Sequence, residues 1–293
     1  MMQVRRPSPL DLVQLSSLMS MTSGCPEVRI GLVDGPVAAN HPDLENISVK
    51  PLGNEPISPR SRLSWQSALD HGTFVAGILT AKRSSSAPAI CPSCTLLVRP
   101  IFGQIETDTD LPSCSPEELV AGILDCTDAG ARILNLSVTL SSHSTRGQST
   151  IQEALDYAAR RGVVVVAASG NEGTIGGSVI SRHPAVIPVV AYDSQARPIG
   201  RSNLGPSIGR RGLGAPGDKV ISLGRAGESL VRSGTSIAAP FVAGTIALLW
   251  SLFPAAAASR IRAAILHAAQ ARRASIVPPL LNAWDAYQFL RAV

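Results

Sequence analysis

The chain has 293 residues, 45% apolar and 16% charged, with 26 basic residues against 21 acidic ones for a net charge of +5. That is enough apolar material for a sizeable core in one large α/β domain or two small ones, and it excludes wholesale disorder. No repeat at the period of about 20–50 residues that marks solenoids and propellers is present, and the basic residues come as scattered pairs without interleaved aromatics, which argues against nucleic-acid binding.

In chain order, Arg5 and Arg6 precede PLDLVQLSSLMSM, where Asp11 and Gln14 interrupt what a signal peptide would keep apolar. No A-x-A cleavage site follows, so residues 1–24 read as an N-terminal arm and 25–293 as the main domain. Short apolar runs at Val28–Val33, Thr95–Ile101, Arg132–Val138, Val163–Ala168 and Ala185–Ala191 read as buried parallel strands. Between them, His71–Ala81, Pro116–Ala129, Ile151–Arg161, about Ser236 to Leu252, and Ser259–Ala271 read as helices. Ser115-Pro116-Glu117-Glu118 supplies an N-cap, a first-turn proline and early acids, and Gly130 and Gly162 stand where helices should stop. Alternation of this kind predicts an α/β fold, a doubly wound, mostly parallel sheet with helices on both faces.

The longest apolar stretches are broken by Gly, Pro or charge before the ~20 residues a bilayer span needs, so no membrane association is expected. Five cysteines, an odd number at low density, fit a cytoplasmic protein better than a secreted disulfide scaffold. Cys91-Pro92-Ser93-Cys94 has metal or redox spacing, but no second such pair exists to complete a zinc site. Cys114 and Cys126 flank one helix, which leaves a disulfide between them open, with free thiols the leading expectation. His41, His143, His183 and His267 read as structural, with His41 the one expected nearest the site described next.

Three short segments carry chemistry. Asp34 stands at the C-terminal tip of the first strand, where catalytic groups gather in open α/β sheets. His71 opens a predicted helix. Ser236 sits at a helix start behind Gly234 and Thr235, near unpaired N–H groups and the positive end of the helix dipole, both of which favour an oxyanion beside its Oγ. Singly, these read as a turn residue, an incidental histidine and an N-cap. Together, in the order Asp, His, Ser, they make one of the known arrangements of a nucleophile, its base and the base's partner.

On these segments the chain resembles the subtilisin-like serine peptidases, over about residues 27–290. GTSIAAP is similar to the family's serine motif G-T-S-x-A-x-P, HGTFVAG to its H-G-T-H-V-A-G, VDGPVAANHPDL to its aspartate segment, and AASGNEG, with Asn171, to its oxyanion-hole asparagine segment. The resemblance implies Asp34, His71 and Ser236 as catalytic residues and Asn171 as the oxyanion donor. It also implies that Leu136, Ser137 and Val138, with Ala168, Ser169 and Gly170, flank the substrate residue before the scissile bond, with Glu172 near the pocket rim. A substrate bound there as an added strand takes affinity from main-chain hydrogen bonds and selectivity from pockets.

Departures from the family pattern narrow the resemblance. Asp34-Gly35-Pro36 replaces Asp-Ser-Gly or Asp-Thr-Gly and resembles the peptidases that cut leader peptides in cyanobactin-type pathways (PatA-like enzymes). The compact length and the segment LLVRPIF fit that branch. Phe74 replaces a histidine outside the triad. KRSSSAPAICPSC, where secreted relatives carry a calcium loop, has no carboxylate, so no metal and no cofactor is expected there. Thr139 and Leu140 stand where two glycines are frequent, which narrows the cleft or refolds its loop. Secreted relatives carry an inhibitory prodomain, for which the segment before Val28 is too short. The expected activity is a serine endopeptidase acting through an acyl-enzyme on a peptide or precursor peptide. The alternatives are a general intracellular degradative subtilase and a peptide-binding pseudoprotease, the latter disfavoured by the presence of all four catalytic residues.

Overall fold

A computed structural model describes residues 8–45, 47–53, 62–101, 114–138, 147–267 and 275–292. Its strands are β1 (Arg29–Asp34), β2 (Val49–Pro51), β3 (Thr95–Pro100), β4 (Ile133–Leu136), β5 (Val164–Ala168), β6 (Val186–Tyr192), β7 (Leu213–Pro216), β8 (Val220–Leu223) and β9 (Ser229–Arg232). Its helices are α1 (Pro9–Leu12), α2 (Leu15–Met21), α3 (Arg62–Thr80), α4 (Pro116–Asp128), α5 (Gln148–Arg160), α6 (Val179–Arg182), α7 (Pro206–Arg211), α8 (Thr235–Leu252), α9 (Ala258–His267) and α10 (Ala283–Arg291).

Strands β1 to β7 form one parallel sheet in the order β2-β3-β1-β4-β5-β6-β7. Strand β1 has β3 on one side and β4 on the other, so the winding direction reverses at its C-terminal end, the place where such sheets leave a crevice. Both faces of the sheet are covered, which is why β5 and β6 are buried along their whole length and read as unbroken apolar runs. Strands β8 and β9 pair antiparallel as a separate hairpin against α3.

Helix α8 runs through the larger core. It is apolar on all sides and 83% buried, the pattern of a central core helix. It is the one helix among the described residues long and apolar enough to cross a membrane. Helices α4 and α5 close the opposite face and end as their glycines require. Gly130 and Gly162 have φ of +81° and +76°, and the N–H groups of Ala131 and Val163 reach back to the carbonyls of Cys126 and Ala158, the Schellman geometry. Ser115 caps α4 by accepting from the N–H of Glu118.

In the N-terminal arm, Leu15 and Leu18 are fully buried in the core around α8. Arg83 donates to the carbonyls of Met19 and Thr22, and the N–H of Ala283 in α10 donates to Val13. The helix expected to open at His71 instead begins at Arg62. Asp70 lies inside this helix, and its carboxylate accepts from the guanidinium and the N–H of Arg225. The expected end of the last long helix at Ala271, His143, and Thr139 and Leu140 lie outside the described residues.

Candidate active site

The residues of the aspartate and histidine motifs explain one another by close packing. A Cβ on Gly35 would lie 2.0 Å from the carbonyl oxygen of Ala68, and one on Gly72 would lie 2.3 Å from that of Pro36. Helix α3 therefore rests backbone to backbone on the Asp34-Gly35-Pro36 turn, a contact open only to glycine. The hydroxyl of Thr73 accepts from the N–H of Ala38 and fastens the turn further along. On the far side, Gly77 faces Ser222 and Leu223 of β8, and the Ser222 hydroxyl donates to the carbonyl of Phe74. Phe74 is fully buried, so the position that departs from the family pattern packs in the core.

This docking delivers the His71 ring between Asp34 and Ser236. Its Nδ1 lies 2.6 Å from Asp34 Oδ1 and its Nε2 3.0 Å from Ser236 Oγ. Asp34 is fully buried, while the His71 side chain is 15% exposed. A buried carboxylate accepts and does not donate, so the ring's proton sits on Nδ1 and Nε2 presents its lone pair to Ser236. Asp34 Oδ1 also accepts from the N–H of Gly35 at 2.5 Å, which spreads the charge that burial would otherwise penalise. Chemically, this chain of atoms can draw a proton from Ser236 Oγ as it attacks a carbonyl and return it to a leaving amine.

Ser236 stands in the first turn of α8, after Gly234 at φ +151°. Pro240 lacks the N–H that would bond the Ser236 carbonyl, which leaves that first turn partly unpaired. Asn171 approaches from the loop after β5. Its Oδ1 accepts from the N–H of Thr235 at 2.9 Å and from the Thr235 hydroxyl at 3.2 Å. That hydroxyl in turn accepts from the N–H of Gly170 at 3.2 Å. With the carbonyl end of the amide fixed, its NH₂ end is the donor left for an oxyanion, beside the N–H of Ser236.

The loop that carries Asn171 is stapled by Asn203, which motif reasoning missed. Asn203 Oδ1 accepts from the N–H groups of Glu172 and Thr174, its Nδ2 donates to the Glu172 carboxylate, and its own N–H donates to the carbonyl of Gly170. The Glu172 carboxylate is thus engaged within the loop. Leu136 and Ala168 have buried side chains, so only their main chain can face a substrate. Ser137 and Val138 follow the end of β4, with Ser137 Oγ accepting from Asn135 Nδ2. Ser169 is buried, and Gly170 has φ +114° with no room for a Cβ against Asn203.

The overlooked residues have a common signal problem: Asn203 and Thr235 act through hydrogen bonds to other segments. Thr235 lay within the recognised serine motif, yet its side-chain role needed the fold to appear. His41 caps a 3-10 turn at Pro42–Leu44 through Nδ1, a structural role. All five cysteines are free thiols. Burial pushes Cys114 and Cys126 up to about 12, which keeps both protonated and unreactive at neutral pH. Among the described residues no group of three or more His, Cys, Asp or Glu could hold a metal ion.

Comparison with known proteins decides the family. Residues 26–282 match the model of the subtilase family, Peptidase_S8. The chain belongs to this family. It is a subtilisin-like serine peptidase, 29% identical over 261 residues to subtilisin DY of Bacillus licheniformis, an alignment covering 87% of this chain and 88% of that protein. The fold of this subtilase is similar to that of the prenylagaramide maturation protease PagA, with a TM-score of 0.80 and 28% identity over 94% of this chain and 98% of the other. It is likewise similar to the patellamide maturation protease PatA, with a TM-score of 0.76 and 29% identity over 92% and 98% of the two chains.

Proposed function

We propose that this subtilase is a maturation endopeptidase that cuts the leader from a ribosomally made precursor peptide, with Asp34, His71 and Ser236 as its catalytic residues. The observation that carries the assignment of residues is the His71 ring, which bonds Asp34 through one nitrogen and faces Ser236 through the other. In this reading Ser236 Oγ attacks the scissile carbonyl while His71 Nε2 takes its proton. The tetrahedral oxyanion is held by the Asn171 NH₂ and the Ser236 N–H. Its collapse breaks the peptide bond, and His71 hands the proton to the departing amine. Water, activated by His71, then hydrolyses the acyl-enzyme. Asp34 keeps the ring in the working tautomer and stabilises its charged form.

Leader removal is supported by the similarity to PagA and PatA, both named as maturation proteases, and by Asp34-Gly35-Pro36. A cytoplasmic site of action goes with it, because that is where such precursors are made. The substrate lies across the strand ends at Leu136–Val138 and Ala168–Gly170. The test is incubation with a cyanobactin-type precursor peptide and, separately, with casein, followed by mass spectrometry of the cut sites. A single cut at the leader boundary and slow attack on casein are expected. Rapid cleavage of casein at many sites overturns leader removal and leaves a degradative subtilase, the reading that the similarity to subtilisin DY favours.

A further inference from the structure

Arg201 lies on the loop between β6 and α7 and reaches the mouth of the site. A Cβ placed on Gly234 would touch Arg201 Nη2 at 3.3 Å, Asn171 Oδ1 at 3.4 Å and Asn171 Nδ2 at 3.6 Å. The guanidinium and the oxyanion-facing amide therefore converge on the same small space beside the nucleophile's helix.

The backbone beneath the guanidinium is held firmly to the backbone beneath Asn171. The Arg201 carbonyl accepts from the N–H of Gly173 at 2.8 Å, and the N–H of Asn203 donates to Gly170 at 3.0 Å. The Asn203 side chain then ties Glu172 and Thr174 to the same loop. The backbone segments that carry the cation and Asn171 are thus hydrogen-bonded to each other.

Among the described residues Arg29, Arg83 and Arg211 are engaged by main-chain carbonyls and three further arginines by carboxylates. Arg99 bonds Asp125, Arg197 bonds Asp193 and Arg225 bonds Asp70. Among the described residues Arg201 has no such partner, and the carboxylate in its own neighbourhood, Glu172, is taken by Asn203. A planar, permanently charged group left unpaired at a site mouth is suited to a carboxylate that arrives with the substrate.

Resting on the endopeptidase reading above, we propose that Arg201 is a specificity-determining residue that selects substrates with a carboxylate side chain at one of the two positions after the scissile bond. The side of the bond follows from the layout. The residues before the bond lie along the ends of β4 and β5, at Leu136–Val138 and Ala168–Gly170. The contacts that locate the Arg201 guanidinium are with Gly234 and Asn171 and not with either of those strand ends, so the departing half of the peptide is the part assigned to it. The bond itself breaks as already described, and Arg201 takes no proton and forms no covalent link.

The test starts from any cut site the enzyme recognises and varies the two following residues among Glu, Gln and Lys. For the parent enzyme, kcat/KM should favour Glu over Gln at one of these positions by roughly fivefold to tenfold, the scale of a partly desolvated charged pair. Added salt should shrink that ratio. Arg201→Gln should bring the ratio close to one, Arg201→Lys should keep part of it, and Arg201→Glu should favour Lys instead. Because each enzyme is compared with itself, a variant of lower overall activity still reports. A parent ratio near one at both positions, a preference confined to residues before the bond, or an unchanged ratio in Arg201→Gln overturns the inference and leaves the peptidase intact. Failure of the parent to cut any peptide removes the endopeptidase reading, and this inference with it.

Discussion

Thr235 holds the carbonyl oxygen of Asn171 twice, through its N–H at 2.9 Å and through its hydroxyl at 3.2 Å. The residue before Ser236 therefore sets the direction in which the Asn171 amide points. Its side chain is fully buried and also takes the N–H of Gly170, so its proton is committed to Asn171. Replacing it with valine keeps the shape and the N–H bond to Asn171 but removes the hydroxyl's bonds to Asn171 and Gly170. Thr235→Val should lower kcat by about tenfold, the rate equivalent of one lost hydrogen bond of roughly 1–1.5 kcal/mol. KM should change little, because the contact matters most when charge develops on the oxyanion. Thr235→Ser should recover most of the loss. An unchanged kcat in steady-state assays of Thr235→Val would remove Thr235 from the account.

The contact between Gly35 and Ala68 carries the position of His71. At 2.0 Å from a backbone oxygen, an added methyl can be admitted only if α3 moves away from the Asp34 turn. Displacing a catalytic group by about an ångström costs on the order of 100-fold in rate, and overpacking of this kind destabilises by about 1–3 kcal/mol. Gly35→Ala should show both effects, in kcat/KM and in the thermal midpoint. Near-parental activity would mean that the turn yields without disturbing the histidine.

His183 offers a pH test of the fold away from the site. It caps the end of α6 with Nδ1 accepting from the N–H of Ala185 and Nε2 beside Asp156 at 3.2 Å. Burial lowers its pKa below the usual 6.5, partly opposed by Asp156. A histidine with a depressed folded pKa binds more protons when unfolded, so stability is retained above about pH 6.5 and lost as the pH falls below it. The melting temperature should fall as the pH drops below about 6.5, and His183→Gln should flatten that part of the profile. An identical fall in parent and variant would locate the titration elsewhere.

Legibility in the sequence followed burial. Strands β1, β3, β4, β5 and β6 lie mostly buried between covered sheet faces, and their largely apolar runs announced them. The edge strands did not. Strand β2 is three residues, Val49–Pro51, half-buried to exposed, and β7 is Leu-Gly-Ala-Pro, a composition that reads as a turn. Helix α10 and the two arm helices were missed as elements because their packing on α9 and the core is long-range. At the candidate site, Asp34, His71, Asn171 and Ser236 stood out in the sequence because each sits in a short motif with small residues beside it. Asn203 did not, because a polar residue in a loop gains its meaning only from the segment it meets.

If Asp34, His71 and Ser236 form a working nucleophile system, the folded chain reacts with a fluorophosphonate and mass spectrometry maps the adduct. One adduct is expected, on Ser236, absent in Ser236→Ala and lost or severely slowed in His71→Ala, with both variants melting near the parent temperature. An adduct on a different serine, or labelling of Ser236 at the parental rate without His71, would contradict the account.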